Sequence, residues 1–362
     1  MKADPKVKKF LKGKRAMVIG GTGSWGSELV RQLVGLYELE EIRIFSRGEH
    51  KQVEMRRVYN DEHGVRYIIG DVRDAQAVDL AMKGVNVVFN LAALKHVPVA
   101  EENVWEAVQT NIHGPHNVVT AAMHHGVDVA VQVSTDKAVD PINLYGYTKG
   151  AAEKIFTSAN YSPSKPKGTR FVCVRGGNVL STAGSVIPLF KHLIAKHNKL
   201  TITDKRMSRY FMRVEEAIGL VLKAMVETVG GEVFVMKMPG AKITDLAEVM
   251  KEELGNKSTK IEYIGVRPGE KLYEVLVSKN EAHRTVADGD YYVILPEVFL
   301  KNFTSNAYKK HKPIKMEEYN SMNTAQLNKK GILEMLEKDG WLDEENDADF
   351  STLFSPYKEN HK

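Results

Sequence analysis

The chain has 362 residues and a mass of 40.6 kDa, enough for one large domain or two ordinary ones. Hydrophobic residues make up 43% and charged residues 27%, which excludes a disordered chain, and no apolar run approaches the ~20 residues of a membrane span. The formal charge of +5, from 51 basic and 46 acidic residues, invites a polyanion partner until it is located.

Lys2, Lys6, Lys8, Lys9, Lys12, Lys14 and Arg15 fall in the first fifteen positions, opposed by Asp4, and the remainder carries 44 basic against 45 acidic residues. Residues 1–15 therefore read as a basic leader, disordered or locally packed, and nucleic acid is not an expected partner. The leader lacks the apolar core of a signal peptide. The lone Cys173 excludes an intrachain disulfide, so a cytoplasmic protein is expected.

From residue 15 onward, short apolar runs alternate with helical stretches. Residues 16–19, 41–45, 66–69, 85–90, 127–134 and 170–174 read as strands, nearly continuous in apolar character, as strands covered on both faces are. Helices are expected between them, one reaching about residue 36 and another over 104–125. This predicts an α/β fold with a doubly wound parallel sheet of Rossmann type over 16–180. Beyond 180 the rhythm changes to a helix over 214–229, a strand over 232–236, a helix over 244–254 and strands over 260–263 and 291–294. A smaller C-terminal α/β substrate lobe is expected over 181–300, with some later segments returning to the first domain, and an extension over 301–362. The acidic cluster Glu337, Asp339, Asp343, Glu344, Glu345, Asp347 and Asp349 reads as a solvated tail.

The first strand runs into residues 20–26, GGTGSWG. Gly20 permits a tight turn, Gly23 lets backbone approach a pyrophosphate, and Gly26 lets helix and strand pack closely, with the diphosphate on the helix N-terminus. Thr22, Ser24 and Trp25 share that turn and are expected cofactor contacts. The second strand ends in Ser46-Arg47, twenty residues after Gly26, and not in the acidic residue that usually holds a ribose 2′-hydroxyl. A hydroxyl and a guanidinium suit a 2′-phosphate, so NADP is expected over NAD, although Glu49 could reach a hydroxyl. Asp71 and Val72, after the third strand, are placed to meet adenine.

The fifth strand ends in Ser134-Thr135-Asp136-Lys137, and Tyr145 and Lys149 follow, four residues apart on one helix face. A nearby ammonium favours phenolate over phenol. Bringing a tyrosine from ~10 to ~7 requires about 4 kcal/mol of differential stabilisation, from lysine, cofactor charge and hydrogen bonds together. His124 and His125, with Cys173 far away, show no metal-ligand spacing, so no metal is expected.

At this point the chain resembles the extended short-chain dehydrogenase/reductases, and within them the inverting UDP-N-acetylglucosamine 4,6-dehydratases. The likeness rests on GGTGSWG (20–26), SRGEHKQ (46–52), GDVRD (70–74), AALKHVP (92–98), TNIHG (110–114), STDKAVDPINLYGYTK (134–149), RGGNVL (175–180), GSVIPLF (184–190), MSRYFM (207–212), GGEVFVMKMP (230–239) and RPGEK (267–271). It runs from about residue 13 to 296, with a weaker echo at YNSMNT (319–324).

The resemblance implies the following cycle. Tyr145 takes the proton of the sugar 4-hydroxyl as hydride leaves C4 for NADP⁺, and Lys149 tunes Tyr145 and holds the nicotinamide ribose. Thr135 orients the hydroxyl. The ketone acidifies C5–H, water leaves from C6, the hydride returns to C6, and C5 is reprotonated on the opposite face. Asp136 and Lys137 suit the elimination; Lys137 is the favoured C5 base and Asp136 the C6 acid, with the reverse left open.

Lys51, Leu91, Ala92, Ala93 and Lys95 are further cofactor contacts by resemblance. Lys95, Asn178, Val186, Arg209, Arg267 and Glu270 are implied to bind a UDP-sugar, and a dimer or hexamer is implied. Retaining hexose 4,6-dehydratases typically carry Asp-Glu where this chain has Asp136-Lys137, and membrane-bound retaining members usually carry methionine in place of Tyr145. Gly176 departs from a usual aromatic and Tyr147 from alanine, which leaves sugar identity and stereochemistry least specified, while Gly48 in place of an acidic residue bears only on cofactor preference. The rival expectations are a UDP-sugar 4-epimerase, which needs no groups at C5 and C6, a retaining dehydratase, and a non-catalytic NADP-binding module.

Overall fold

A computed structural model describes residues 3–179, 186–297 and 307–343. The described residues form two compact units, the first within 1–176, 215–237 and 276–318, the second within 177–214, 238–275 and 319–362. The chain thus crosses between units several times, and segments after residue 180 return to the first.

In the first unit the apolar runs become β1 (Arg15–Ile19), β2 (Glu41–Ser46), β3 (Val65–Ile69), β4 (Val87–Asn90), β5 (Val129–Thr135) and β6 (Arg170–Gly176). They pair in parallel in the order 3-2-1-4-5-6, the doubly wound order whose ligands lie beyond the carboxyl ends of the strands. Later segments extend the sheet: β7 (Val233–Met236) runs parallel to β6, while β8 (Thr285–Asp288), β9 (Tyr291–Ile294) and the short β10 (Lys312–Pro313) add antiparallel. This is why residues 233–236 and 285–294 belong with the nucleotide fold.

Strands β4 and β5 are buried almost along their length, in keeping with helices on both faces of a parallel sheet. The stretch expected as one helix over 104–125 is two, Val104–Val108 and Gly114–His125, joined by a π-helical turn at Gln109–His113. No helix among the described residues is long and apolar enough to cross a membrane.

The leader is a helix, Pro5–Leu11, capped by Asp4, whose carboxylate accepts from the Lys6 and Val7 amides. Lys6 pairs with Glu227, Lys8 and Lys12 with Glu38, and Lys14 with Asp128. Exposed pairs of this kind stabilise little. The helix is held by Val7 and Leu11, both inside the core formed with Leu33 and Phe234.

The second unit has its own core, built from helices Val186–His197, Ile243–Leu254 and Lys329–Lys338 around Phe190, Leu246, Met250, Ile332 and Leu336. Lys199–Ile202 and Lys260–Tyr263 pair in parallel, and Ser208–Tyr210 and Gly240–Lys242 antiparallel. Residues 329–338 are therefore part of a core and not an appendage. Asp339, expected in a solvated tail, makes a 2.6 Å ion pair with Arg213 and is 8% exposed. Glu337 and Asp343 do face solvent, and Glu344, Glu345, Asp347 and Asp349 lie outside the described residues.

Leu11→Ala should lower the unfolding free energy by about 2–5 kcal/mol, measured by urea denaturation. A loss below about 0.5 kcal/mol, the level of ordinary surface changes, would mean that the leader helix contributes no packing.

Candidate active site

The glycine turn sits between β1 and helix Ser24–Leu36, with Gly23 as N-cap and no side chain capping the first turn. Gly20 has φ +79° and lies against the chain after β4, where a Cβ would fall 2.9 Å from the Ala92 amide nitrogen. At Gly26 a Cβ would be 2.3 Å from the Gly20 carbonyl oxygen, so helix and turn meet only because both side chains are absent. Backbone N–H groups are left free at a helix start and the loop has no Cβ to block an approach, which fits a dinucleotide diphosphate.

At the end of β2, Ser46 Oγ accepts from Thr22 Oγ1 at 3.2 Å and from Gln52 Nε2 at 2.9 Å, and Gln52 also donates to the Ser46 and Ile68 carbonyls. Gln52, buried on helix Glu49–Val58, thereby fixes the strand ends around the expected ribose position. Arg47 is 60% exposed, 3.8 Å from Asp71. Lys51 and Glu49 sit exposed on the same helix. The Asp71 carboxylate is held by the Arg73 amide and guanidinium at 2.6–2.9 Å. Burial pushes its pKa up, but Arg73 and then Arg47 outweigh that and leave it below the usual range. The Val72 side chain packs against Gly114, where a Cβ would come within 2.8 Å of it. Leu91, Ala92 and Ala93 follow β4, each half-buried.

The catalytic candidates come together at the end of β5. Thr135 caps a 3₁₀ turn at Asp136–Ala138. Asp136 Oδ1 accepts from Thr135 Oγ1 at 2.8 Å and from Lys137 Nζ at 3.1 Å. Its side chain is 1% exposed, and Oδ2 has no hydrogen-bond partner among the described residues. The next helix, Leu144–Ala159, is capped by Asn143, which accepts from the Gly146 amide at 2.8 Å. Gly146 is where that helix rests on the turn: a Cβ there would lie 2.2 Å from the Lys137 carbonyl oxygen.

Tyr145 and Lys149 are both buried on this helix. Burial pushes Tyr145 up to about 12; Lys137 favours its phenolate, Asp136 opposes it, and a hydrogen bond to Thr135 favours it. Lys137 is one cation that acts on Tyr145. Lys149, one helical turn further on, donates from Nζ to the Val133 carbonyl at 2.7 Å. Burial pulls Lys149 down to about 8, against the charge of Glu153. Lys95 is held below its usual range by partial desolvation and by Lys137. One helical turn after Lys149, Glu153 joins Arg175 at 2.7 Å, and Arg175 joins Glu281 at 2.8 Å.

Two residues that carry this arrangement lie in the motifs TNIHG and SRGEHKQ, but neither has a role legible there. Asn111, in the π-helical turn, binds both backbone groups of Leu94 at 2.8 and 2.9 Å and donates to Thr148 Oγ1 at 3.0 Å, and Thr148 donates to the Tyr145 carbonyl. Gln52 likewise reaches partners only through the fold. Asn143 was legible as a residue type favoured at helix starts. His124 and His125 gain a third polar neighbour, Asp79, from another helix, which their spacing along the chain could not show.

Of the substrate-side candidates, Lys95 lies in the first unit and the others in the second. Asn178 Oδ1 is buried without a partner among the described residues, and Val186 opens a helix against the second core. Arg209 is held within its unit: Nη1 donates to the Ser208 and Leu272 carbonyls, Nη2 to the Lys271 carbonyl, and Glu274 lies 3.5 Å from Nε. Arg267 is 56% exposed and pairs loosely with Glu270 at 3.9 Å.

A family model described as polysaccharide biosynthesis protein matches residues 16–296. The chain belongs to this family. Its extended short-chain dehydrogenase/reductase character agrees with the strand order and with a relative from Campylobacter jejuni, strain 81-176, named UDP-N-acetylglucosamine 4,6-dehydratase (inverting). That protein is 43% identical over 82% of this chain and 88% of its own. Rickettsia prowazekii has a family member named UDP-glucose 4-epimerase, 39% identical over 89% of this chain and 95% of its own. A solved structure titled Pen from Bacillus thuringiensis superimposes with a TM-score of 0.84 at 37% identity, covering 92% of this chain and 99% of that one.

The pKa of Lys149 makes a stability prediction. The folded protein releases this proton near pH 8 and the unfolded chain near 10.5. Between those values the unfolded state binds more protons, so stability rises with pH. From pH 7 to 9.5 this contributes about 2 kcal/mol, and Lys149→Met should remove it, as read by urea denaturation at both pH values. A variant with the wild-type pH dependence would contradict the buried ammonium.

Proposed function

We propose that this family member is a nucleotide-sugar 4,6-dehydratase acting on UDP-N-acetylglucosamine with inversion at C5. The observation that carries the reading is the buried Asp136 carboxylate, tied to Lys137 and Thr135 beside Tyr145. A 4-epimerase needs a tyrosine base and its lysine but has no use for an acid and an amine at C5 and C6, so this pair favours dehydration over the epimerase name carried by the Rickettsia relative.

The glycine turn, Thr22, Ser46 and Arg47 would hold a nicotinamide dinucleotide, with Arg47 on a 2′-phosphate, making NADP the proposed form. Bound there, it would supply reversible hydride chemistry, accepting hydride from C4 and returning it to C6, so that no net oxidation remains. Thr135 orients the 4-hydroxyl, and Tyr145 takes its proton. Lys137, as the ammonium, lowers the cost of the phenolate against the burial that raises it. Oxidation at C4 acidifies the C5 proton; Lys137, having passed its own proton to Asp136 at 3.1 Å, removes it as the amine. Asp136, protonated, gives its proton to the C6 hydroxyl, which leaves as water, and C5 is reprotonated on the opposite face. The net change is loss of one water. Asn178, Arg209, Arg267 and Glu270 are the proposed partners of the UDP moiety.

Incubation with UDP-N-acetylglucosamine in deuterated water should give a product lighter by one water, with deuterium at C5 and inverted configuration, read by mass spectrometry and NMR. An isomer of unchanged mass would establish the epimerase instead. Tyr145→Phe should reduce turnover about 10²–10⁴-fold with UDP-sugar binding retained. Asp136→Asn or Lys137→Ala should slow elimination more than C4 oxidation; full product formation in both would remove their roles.

For the cofactor, the wild type should bind NADP at least about tenfold tighter than NAD. Arg47→Ala should lose about 1.5–3 kcal/mol toward NADP alone, measured by calorimetry. Equal affinities in the wild type would overturn the NADP preference.

A further inference from the structure

We propose that Asp79, His124 and His125 form a binding site for a divalent transition-metal cation of the zinc class. The site lies on the outer helices of the first unit, where Ala75–Met82 packs beside Gly114–His125. His124 Nδ1 is 2.7 Å from Asp79 Oδ1, and His125 Nε2 is 3.1 Å from the same oxygen. His125 Nε2 also lies 3.0 Å from the Asp79 carbonyl oxygen. One ligand atom from each residue falls within 4.8 Å of the other two.

Consecutive residues on a helix normally point about 100° apart. Here the two imidazoles sit in the last turn before Gly126, which takes the left-handed cap with φ 63°. Their ring centroids are 4.5 Å apart, inclined at 40°. The convergence is produced by Asp79, which holds both rings through one oxygen.

The dimensions suit a small tetrahedral ion. Zinc–nitrogen and zinc–oxygen bonds of about 2.0–2.2 Å place adjacent ligand atoms roughly 3.3 Å apart. The separations of 2.7 and 3.1 Å from the Asp79 oxygen need to open by roughly 0.6 and 0.2 Å, and the ligand atoms of the three residues all lie within 4.8 Å of one another. The ion would take the place of the protons now shared between the rings and the carboxylate. Two imidazoles and one carboxylate are a ligand set for zinc, copper or nickel and not for magnesium or calcium, which prefer oxygen. His124 is 67% exposed and Asp79 36%, so an ion has an entry path and a water can complete the coordination. The helix C-terminus, with its partial negative charge, adds to the attraction. A bound ion would staple the two helices directly.

The alternative use of the same three groups is a plain histidine–aspartate ion pair, and the His124 hydrogen bond does hold Asp79 below its usual range. Calorimetry separates the two. The full-length chain, without a histidine tag and stripped with EDTA, should bind one equivalent of ZnCl₂ at pH 7.5, with a rise in melting temperature that EDTA reverses. Even outer-shell partners of a metal commonly matter 10–100-fold, so Asp79→Asn and His125→Gln should each weaken binding at least about tenfold. Co²⁺ should give visible d–d absorption that Zn²⁺ bleaches. No saturable zinc binding by the wild type, unchanged affinity in the Asp79→Asn/His125→Gln double variant, or equal binding of Mg²⁺ would each overturn the proposal.

Discussion

The arrangement of the catalytic groups depends on how one helix, Leu144–Ala159, is seated on the sheet. Its first turn rests on the Lys137 carbonyl at the one position, Gly146, where no side chain intervenes. Its second turn is tied to the sheet by Lys149 donating to Val133, and its third by Glu153 gripping Arg175 on β6. Asn143 closes the near end. Each successive turn therefore has its own contact with β5, its turn or β6. Tyr145 and Lys149 are positioned by a fixed helix face, and Asp136 and Lys137 by the turn against which that face is pressed.

The same seating sets the electrostatics. Taking Tyr145 and Lys149 out of water favours the neutral form of both, which is why tyrosine moves up and lysine down. The buried charges nearby are not left alone. Arg175 binds two carboxylates in bidentate fashion, and Glu281 is held down to about 2 because Arg175 and the Ser278 amide outweigh the burial that would raise it. An ionised pair of this kind stabilises weakly compared with an apolar core, but breaking one member is costly. Its value here lies in holding Glu153, and so the third turn of the helix, in one place.

Charge elsewhere in the molecule tells a parallel story of local commitment. The basic leader, which supplied the whole positive excess, is a packed helix whose lysines meet Glu38, Asp128 and Glu227. At the acidic end, Asp339 is spent on Arg213. Arg209, a cation expected to meet phosphate, is already engaged by carbonyls of its own unit. Net charge and residue type proved poor guides to what a side chain does, because a partner close in space and distant along the chain decides it.

By itself the sequence determined the parallel strands, the glycine turn and the one-face spacing of Tyr145 and Lys149. These follow from periods and spacings of a few residues, which steric and helical geometry fix locally. It could not show that residues 233–236 and 285–294 rejoin the first sheet, that the helix expected over 104–125 is broken by a π-helical turn, or that residues 329–338 close a second core. Nor could it place Gln52 on Ser46, Asn111 on Leu94 and Thr148, Lys149 on the Val133 carbonyl, or Asp79 between His124 and His125. One of these contacts spans six positions and others span dozens, and even where the residue sits in a motif its partner is not written in the chain around it. Only the tertiary structure decided them, because burial, hydrogen-bond satisfaction and charge pairing act on distance through space and not on distance along the chain.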